Sequence, residues 1–126
     1  MRKNLFLLAL LTGFMVTNSV AQSYQVHSLY MYSFTKYVKW PDAYSEGDFV
    51  IGVLGDSDII PHLNKMASLK KVGDRLIRVI KYSAVDEMQK CNMVFISVDQ
   101  SDSFDAVRQK FEGTATLLLT EKEGLG

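Results

Sequence analysis

Residues 49–54 read Phe-Val-Ile-Gly-Val-Leu, an apolar run with no charged side chain, and the turn sequence Gly55-Asp56-Ser57 follows directly. A strand inside a parallel sheet is buried on both faces, so it is apolar at nearly every position. Residues 93–97 and residues 115–120 form two further runs of this kind. The three runs predict buried β-strands at the centre of the fold.

The segments between these runs have helical spacing. A helix is predicted from Ile59 to Ala67, with Pro61 in its first turn, and another from Phe104 to Phe111. Residues 85–90 predict a short helix, and residues 76–82 alternate apolar with polar side chains, as expected for a strand nearer an edge. This alternation predicts an α/β fold: a mainly parallel sheet of about four strands with helices on both faces.

An amphipathic helix is predicted to precede the sheet, from Tyr24 to Lys39, and Trp40-Pro41 should end it. We expect most of the aromatic side chains in this segment to pack in the core, while one or two face a partner. Tyr24, Tyr37 and Trp40 are the candidates for that contact. The apolar positions with helical spacing are Val26, Leu29, Tyr30, Phe34, Tyr37 and Val38.

The first 21 residues have the pattern of a secretory signal: the basic pair Arg2-Lys3, a short apolar run, and the small residues Ser19 and Ala21 before the expected cleavage point. The apolar run is shorter than the ~20 residues that cross a bilayer, so no stable membrane insertion is expected after cleavage. We therefore expect a periplasmic protein with one domain over residues 22–126. Because a Gly-rich turn follows the last apolar strand directly, we also expect this domain to be truncated at its C-terminus.

Composition and residue spacing argue against nucleic-acid binding, an internal disulfide and a zinc or catalytic site. Without Arg2 and Lys3, the 14 basic residues fall to 12 against 14 acidic ones, and this balance does not favour nucleic-acid binding. Cys91 is the only cysteine, so no intrachain disulfide can form, and a structural thiol is the favoured interpretation. His27 and His62 show neither zinc-ligand spacing nor a catalytic partner. We predict no catalytic residue, no metal and no cofactor.

Polar residues follow three of the predicted strands. Open α/β sheets bind ligands at the carboxyl ends of their strands, so these loops are the candidate site for a small ligand or a partner protein. Asp and Ser are also common in ordinary loops and helix caps, and that interpretation remains open. The candidates are Gly55, Asp56, Ser57, Ser97, Asp99, Thr120 and Glu121.

Four segments together resemble the YfiR family, and the resemblance extends over nearly the whole of the exported part. The most specific feature is a helix that ends in Trp-Pro and is followed by an Ile-Gly-Val-Leu-Gly strand. The segments are Phe34-Thr35-Lys36-Tyr37-Val38-Lys39-Trp40-Pro41, residues 49–55, residues 91–97 and residues 116–120.

The resemblance to these HmsC-like periplasmic regulators implies a small α/β protein that binds the periplasmic part of a membrane-bound diguanylate cyclase. Such binding would hold the cyclase inactive, lower cyclic di-GMP and restrain biofilm formation. Some similar proteins carry paired cysteines, but Cys91 has no partner here. An exported small-ligand-binding domain is the alternative function, and the sequence leaves open whether the protein forms a homodimer.

Overall fold

The computed structural model describes residues 23–122. A helix, α1, includes residues 23–37. A 3-10 turn at Asp42–Tyr44 then leads into strand β1, Phe49–Leu54, and helix α2, Ile59–Leu69. Three strands follow at Lys71–Val72 (β2), Arg75–Tyr82 (β3) and Met93–Ile96 (β4), and the last elements are α3 at Phe104–Lys110 and β5 at Leu117–Thr120. The expected secretory signal lies outside the described residues.

The strands form a single sheet in the order β2-β3-β1-β4-β5. β1 is the central strand and pairs in parallel with β3 and β4, while β5 pairs in parallel with β4. Phe49, Ile51 and Val53 face one side of β1, and all three are fully buried. The expectation of a mainly parallel sheet is confirmed for four strands.

The fifth strand was not expected. β2 pairs antiparallel with the start of β3 around Gly73, whose φ of +61° is readily adopted by glycine. The sequence prediction treated this segment only as a turn because two residues are too short to show an alternating pattern. Residues 85–90 differ in a similar way, since only Val85–Glu87 forms a helical turn, of the 3-10 type.

Two apolar clusters cover the two faces of the sheet. On the first face, α2 contributes Ile59, Leu63 and Met66, and α1 contributes Met31. On the second face, α3 and the residue after it contribute Val107 and Phe111. Each face of the sheet is therefore covered by helical segments, as expected.

The orientation of α1 differs from the expected one. Its buried side chains are Ser28 and Met31, whereas Tyr30 and Tyr37 are 61% and 85% exposed. The six apolar positions with helical spacing are all at least 37% exposed, so they lie on the outer face of the helix. That outward face, here called the α1 stripe, consists of Val26, Leu29, Tyr30, Phe34, Tyr37 and Val38.

Candidate functional site

The loops that follow β1, β4 and β5 meet at one end of the sheet, because parallel strands have their carboxyl ends on the same side. Together with the start of α1 they enclose a cavity of about 370 Å³, here called the strand-end crevice. The first loop begins at Gly55, the second at Ser97 and the third at Glu121. The residues lining the crevice are Tyr24, Asp56, Ser57, Asp58, Ile60, Val98 and Glu121.

Gly55 allows the first two loops to approach closely. Its φ is +90°, and a Cβ atom at this position would lie 2.1 Å from the Ser97 hydroxyl oxygen and 2.7 Å from a carboxylate oxygen of Asp99. No side chain fits in that space. Glycine is therefore required here both for its backbone conformation and for the close approach of the second loop.

Ser97 and Asp99 hold the second loop against the first. The fully buried Ser97 hydroxyl lies 2.6 Å from the Leu54 carbonyl oxygen and also contacts the Asp99 carboxylate. The backbone N–H of Asp56 donates to the other oxygen of Asp99 at 3.4 Å. The hydrogen bond with Ser97 is the main cause that lowers the pKa of Asp99, which keeps this exposed group ionised.

Glu121 joins the third loop to three other segments. Its carboxylate accepts hydrogen bonds from the Tyr24 hydroxyl at 2.5 Å, the Ser57 hydroxyl at 3.3 Å and the Val98 backbone N–H at 2.7 Å. The hydrogen bond to this carboxylate is the main cause that raises the pKa of Tyr24. Tyr24 and Glu121 were predicted as members of separate groups, and the structure places them in contact.

The remaining candidates lie apart from this network. Thr120 is half-buried and its hydroxyl donates to the Lys122 carbonyl oxygen at 3.0 Å. Trp40 packs edge-on against Phe49, with ring centroids 5.0 Å apart, so it contributes to the core. Tyr37 projects into solvent from the far end of α1. The structure therefore brings together the loop residues but only one of the three candidate aromatic residues.

A second cavity, which the sequence analysis did not identify, lies between α1 and the β4–β5 edge of the sheet. It has a volume of about 600 Å³ and is here called the α1 groove. Phe95 and Leu119 form its floor, and Tyr30 and Phe34 of the α1 stripe form one wall. Helical spacing alone could not reveal it, because its position depends on how α1 lies on the sheet.

The described titratable residues outside the α1 groove include His62 and Cys91. Among residues 23–122, no cluster of three His, Cys, Asp or Glu side chains is arranged to hold a metal ion. The ring of His62 stacks on Tyr24 with centroids 6.4 Å apart. Cys91 is buried, and burial raises the pKa of its thiol, so the thiolate that reacts with electrophiles is disfavoured.

The model of a family described as YfiR/HmsC-like matches residues 24–126. No curated protein and no solved structure matches the chain. In the part that the structure describes, no helix is long and apolar enough to cross a membrane.

Proposed function

Because the chain belongs to the YfiR/HmsC-like family, we propose that it is a periplasmic regulator of diguanylate cyclase signalling that acts by binding another protein. The partner is the periplasmic part of a membrane-bound diguanylate cyclase. Binding holds the cyclase inactive, lowers cyclic di-GMP and restrains biofilm formation. The secretory signal predicted at residues 1–21 delivers the protein to the compartment that this partner faces.

The hydrogen-bond network around Glu121 is the structural observation that best supports a binding role over catalysis. A carboxyl group that acts as a general acid or base needs an oxygen that can reach a substrate proton. Both oxygens of Glu121 already accept hydrogen bonds from Tyr24, Ser57 and Val98. This carboxylate therefore stabilises the arrangement of the loops and holds their outer surface in one shape.

Val98 marks the surface that we assign to the partner. Its side chain is 56% exposed at the strand-end crevice, and the exposed carboxylates of Asp56, Asp58 and Asp99 lie on the same loops. An apolar contact bordered by polar groups is the usual composition of a protein interface. The partner surface is accordingly expected to combine an apolar pocket with basic side chains.

Cyclic di-GMP measured in cells tests this proposal. Deleting the gene should raise cyclic di-GMP, and supplying the exported wild-type chain should lower it again. Val98→Lys should fail to lower it, because a cation replaces the apolar contact. Leu76→Lys is the matched control, since Leu76 is also 56% exposed but lies on β3 away from the crevice, and this variant should act like the wild type. Unchanged cyclic di-GMP after deletion would contradict the regulatory role.

The size of the strand-end crevice supports one second candidate, an exported small-ligand-binding domain. Its volume of about 370 Å³ lies within the range typical of small-molecule sites, and Asp58 could bind a cationic or hydroxylated ligand. Native mass spectrometry of the chain purified from the periplasm should then show a bound small molecule. Ile60→Trp should displace this molecule by filling the crevice, whereas Leu69→Trp, on the exposed side of α2, should retain it. Detection of the bare chain alone would exclude this alternative.

A further inference from the structure

A third cavity lies at the end of the sheet opposite the strand-end crevice. It has a volume of about 200 Å³ and is here called the strand-start pocket. Three segments line it: the turn before β1, the loop before β4 and the stretch between α3 and β5. Each of these segments leads into a strand, and parallel strands begin on the side of the sheet away from their carboxyl ends. The strand-start pocket is therefore separate from the crevice and from the surface around Val98.

The walls of the strand-start pocket are apolar and are fixed by the core. Met88 and Phe111, which are 4% and 8% exposed, belong to the apolar cluster on the second face of the sheet. Tyr44, which is half-buried, completes the walls, and the Asn92 side chain donates to the Tyr44 carbonyl oxygen at 2.7 Å. A preformed pocket with aromatic and apolar walls is the usual form of a small-molecule site.

Two lysine side chains give the strand-start pocket a positive charge. Lys90 and Lys110 are both exposed and line the pocket, and none of the described aspartates or glutamates lines it. Among residues 23–122, the basic groups in ion pairs are those of Lys81 and Arg108. Neither pocket lysine is paired with a carboxylate of the described residues, so both ammonium groups are available to an anion.

Lys90 is held in place by two contacts with the turn before β1. Its ammonium nitrogen lies 4.3 Å from the centroid of the Tyr44 ring, and it donates to the Ala43 carbonyl oxygen. A lysine ammonium group has three N–H donors, so the contact with Ala43 leaves two for a ligand. Lys90 is thus positioned beside the Tyr44 wall before any anion binds.

The hydroxyl groups of the strand-start pocket are already used within the protein. The Thr114 hydroxyl donates to the Phe111 carbonyl oxygen at 2.5 Å, and the Thr116 hydroxyl donates to the Cys91 carbonyl oxygen at 2.8 Å. A hydroxyl group has one proton to donate. The two lysines therefore supply the charged donors for a ligand, which favours a carboxylate over a neutral polar group.

We propose that the strand-start pocket binds a small organic acid. The apolar body of the acid packs against Tyr44, Met88 and Phe111, and its carboxylate is bound by Lys90 and Lys110. The volume of about 200 Å³ lies below the roughly 300–1,000 Å³ typical of sites for drug-sized ligands, so the apolar body is about as large as one aromatic ring. This proposal does not depend on the proposed function, because none of these residues lies on the strand-end loops.

A titration of the full exported chain with benzoate tests the site, with binding followed by the backbone amide signals in NMR spectra. Benzoate joins a carboxylate to one aromatic ring. The signals of Tyr44, Lys90 and Thr116 should shift, with a dissociation constant of about 1 mM or lower. Unshifted signals at these residues, or shifts confined to the strand-end loops, would overturn the proposal.

Substitutions of the lysines test the charge contacts. Lys90→Gln and Lys110→Gln should each weaken benzoate binding by about threefold or more. Both side chains are exposed, so the variants should fold normally, which their amide spectra can verify. Arg108→Gln is the matched control, because it removes the same charge from α3 outside the pocket, and it should bind benzoate like the wild type. Equal affinities of the Lys110 and Arg108 variants would overturn the proposal.

Two analogues of benzoate test the two parts of the ligand. Benzamide keeps the ring but has no charge, and acetate keeps the carboxylate but has no ring. Each should therefore bind about tenfold or more weakly than benzoate. Benzamide that binds as tightly as benzoate would overturn the role of the lysines, and acetate that does so would overturn the role of the apolar walls.

Discussion

Gly55 shows how one residue can determine the geometry of the strand-end loops. We expect Gly55→Ala to lower the free energy of unfolding by about 2–4 kcal/mol, because the new Cβ would combine a disfavoured positive φ with a clash against Ser97. Gly113→Ala is the matched control, since Gly113 also has a positive φ of +76° but has open space around it. Gly113→Ala should lower the free energy of unfolding by about 1 kcal/mol. Urea unfolding measures the free energy of unfolding of both variants. Equal losses of stability would show that the loops after β1 and β4 do not approach as closely as described.

Asp99 provides a pH-dependent prediction. A carboxyl group whose pKa is lowered in the folded state adds stability above its unfolded pKa of about 3.9, and this stability is lost as the pH falls through the folded pKa. Asp99→Asn should therefore have a lower melting temperature than the wild type at pH 7. The difference should begin to shrink below about pH 4. Asp102→Asn, at an exposed position, serves as the control. If the melting temperature of Asp99→Asn differs from that of the wild type by the same amount at every pH, ionisation of Asp99 is not the cause of the difference.

At this scale the sequence predicted most of the loop residues but not their contacts. Gly55, Ser97 and Glu121 follow apolar runs, and the ends of parallel strands necessarily lie together. The hydrogen bond between Tyr24 and Glu121 joins residues 97 positions apart. Such a contact depends on where α1 docks, and local patterns carry no information about that placement.

Among the elements, β1, β3 and the loop before β1 are all contacted by one buried side-chain amide, that of Asn92. The Asn92 side chain donates to the Tyr44 carbonyl oxygen at 2.7 Å and accepts from the Val50 backbone N–H at 3.1 Å. Its side-chain oxygen also lies 3.5 Å from the Arg75 guanidinium. Asn92 directly precedes β4, so it links four segments of the fold at the end of the sheet opposite the crevice.

Asn92→Ala should destabilise the protein by about 1–3 kcal/mol, because the replacement removes the hydrogen-bond partner of two partly buried backbone groups. Asn64→Ala, the same substitution on the exposed side of α2, should change the stability by no more than about 0.5 kcal/mol. Thermal or chemical unfolding of the two variants provides the measurement. Similar values for both would mean that the amide of Asn92 does not link these segments.

The elements differ in how well the sequence predicts them. β1 and β4 are apolar on both faces, so their burial follows directly from the residues. In α1 the buried side chains are Ser28 and Met31, whereas the six apolar positions with helical spacing are exposed, so periodicity identified two faces but could not decide which of them packs on the sheet. The expectation for the aromatic side chains holds for Tyr24, Tyr32 and Trp40, which pack against the core, whereas Tyr30 and Tyr37 are exposed.

At the scale of the molecule, the sheet order places the strand-end loops and most of the α1 stripe on different sides of the fold. The strand-end loops lie at one end of the sheet, and the α1 stripe faces outward from its first face. Partner binding at Val98 would therefore use a surface that does not include the exposed residues of the α1 stripe.

The activity of the full-length membrane-bound cyclase, reconstituted in lipid nanodiscs, tests the central claim most directly. The rate of cyclic di-GMP synthesis would be measured while the purified exported chain is added. We expect the rate to fall to a plateau as the wild-type chain saturates the cyclase, and Val98→Lys to require a concentration about tenfold or more higher for the same effect. A synthesis rate that stays constant at saturating wild-type chain would contradict the account.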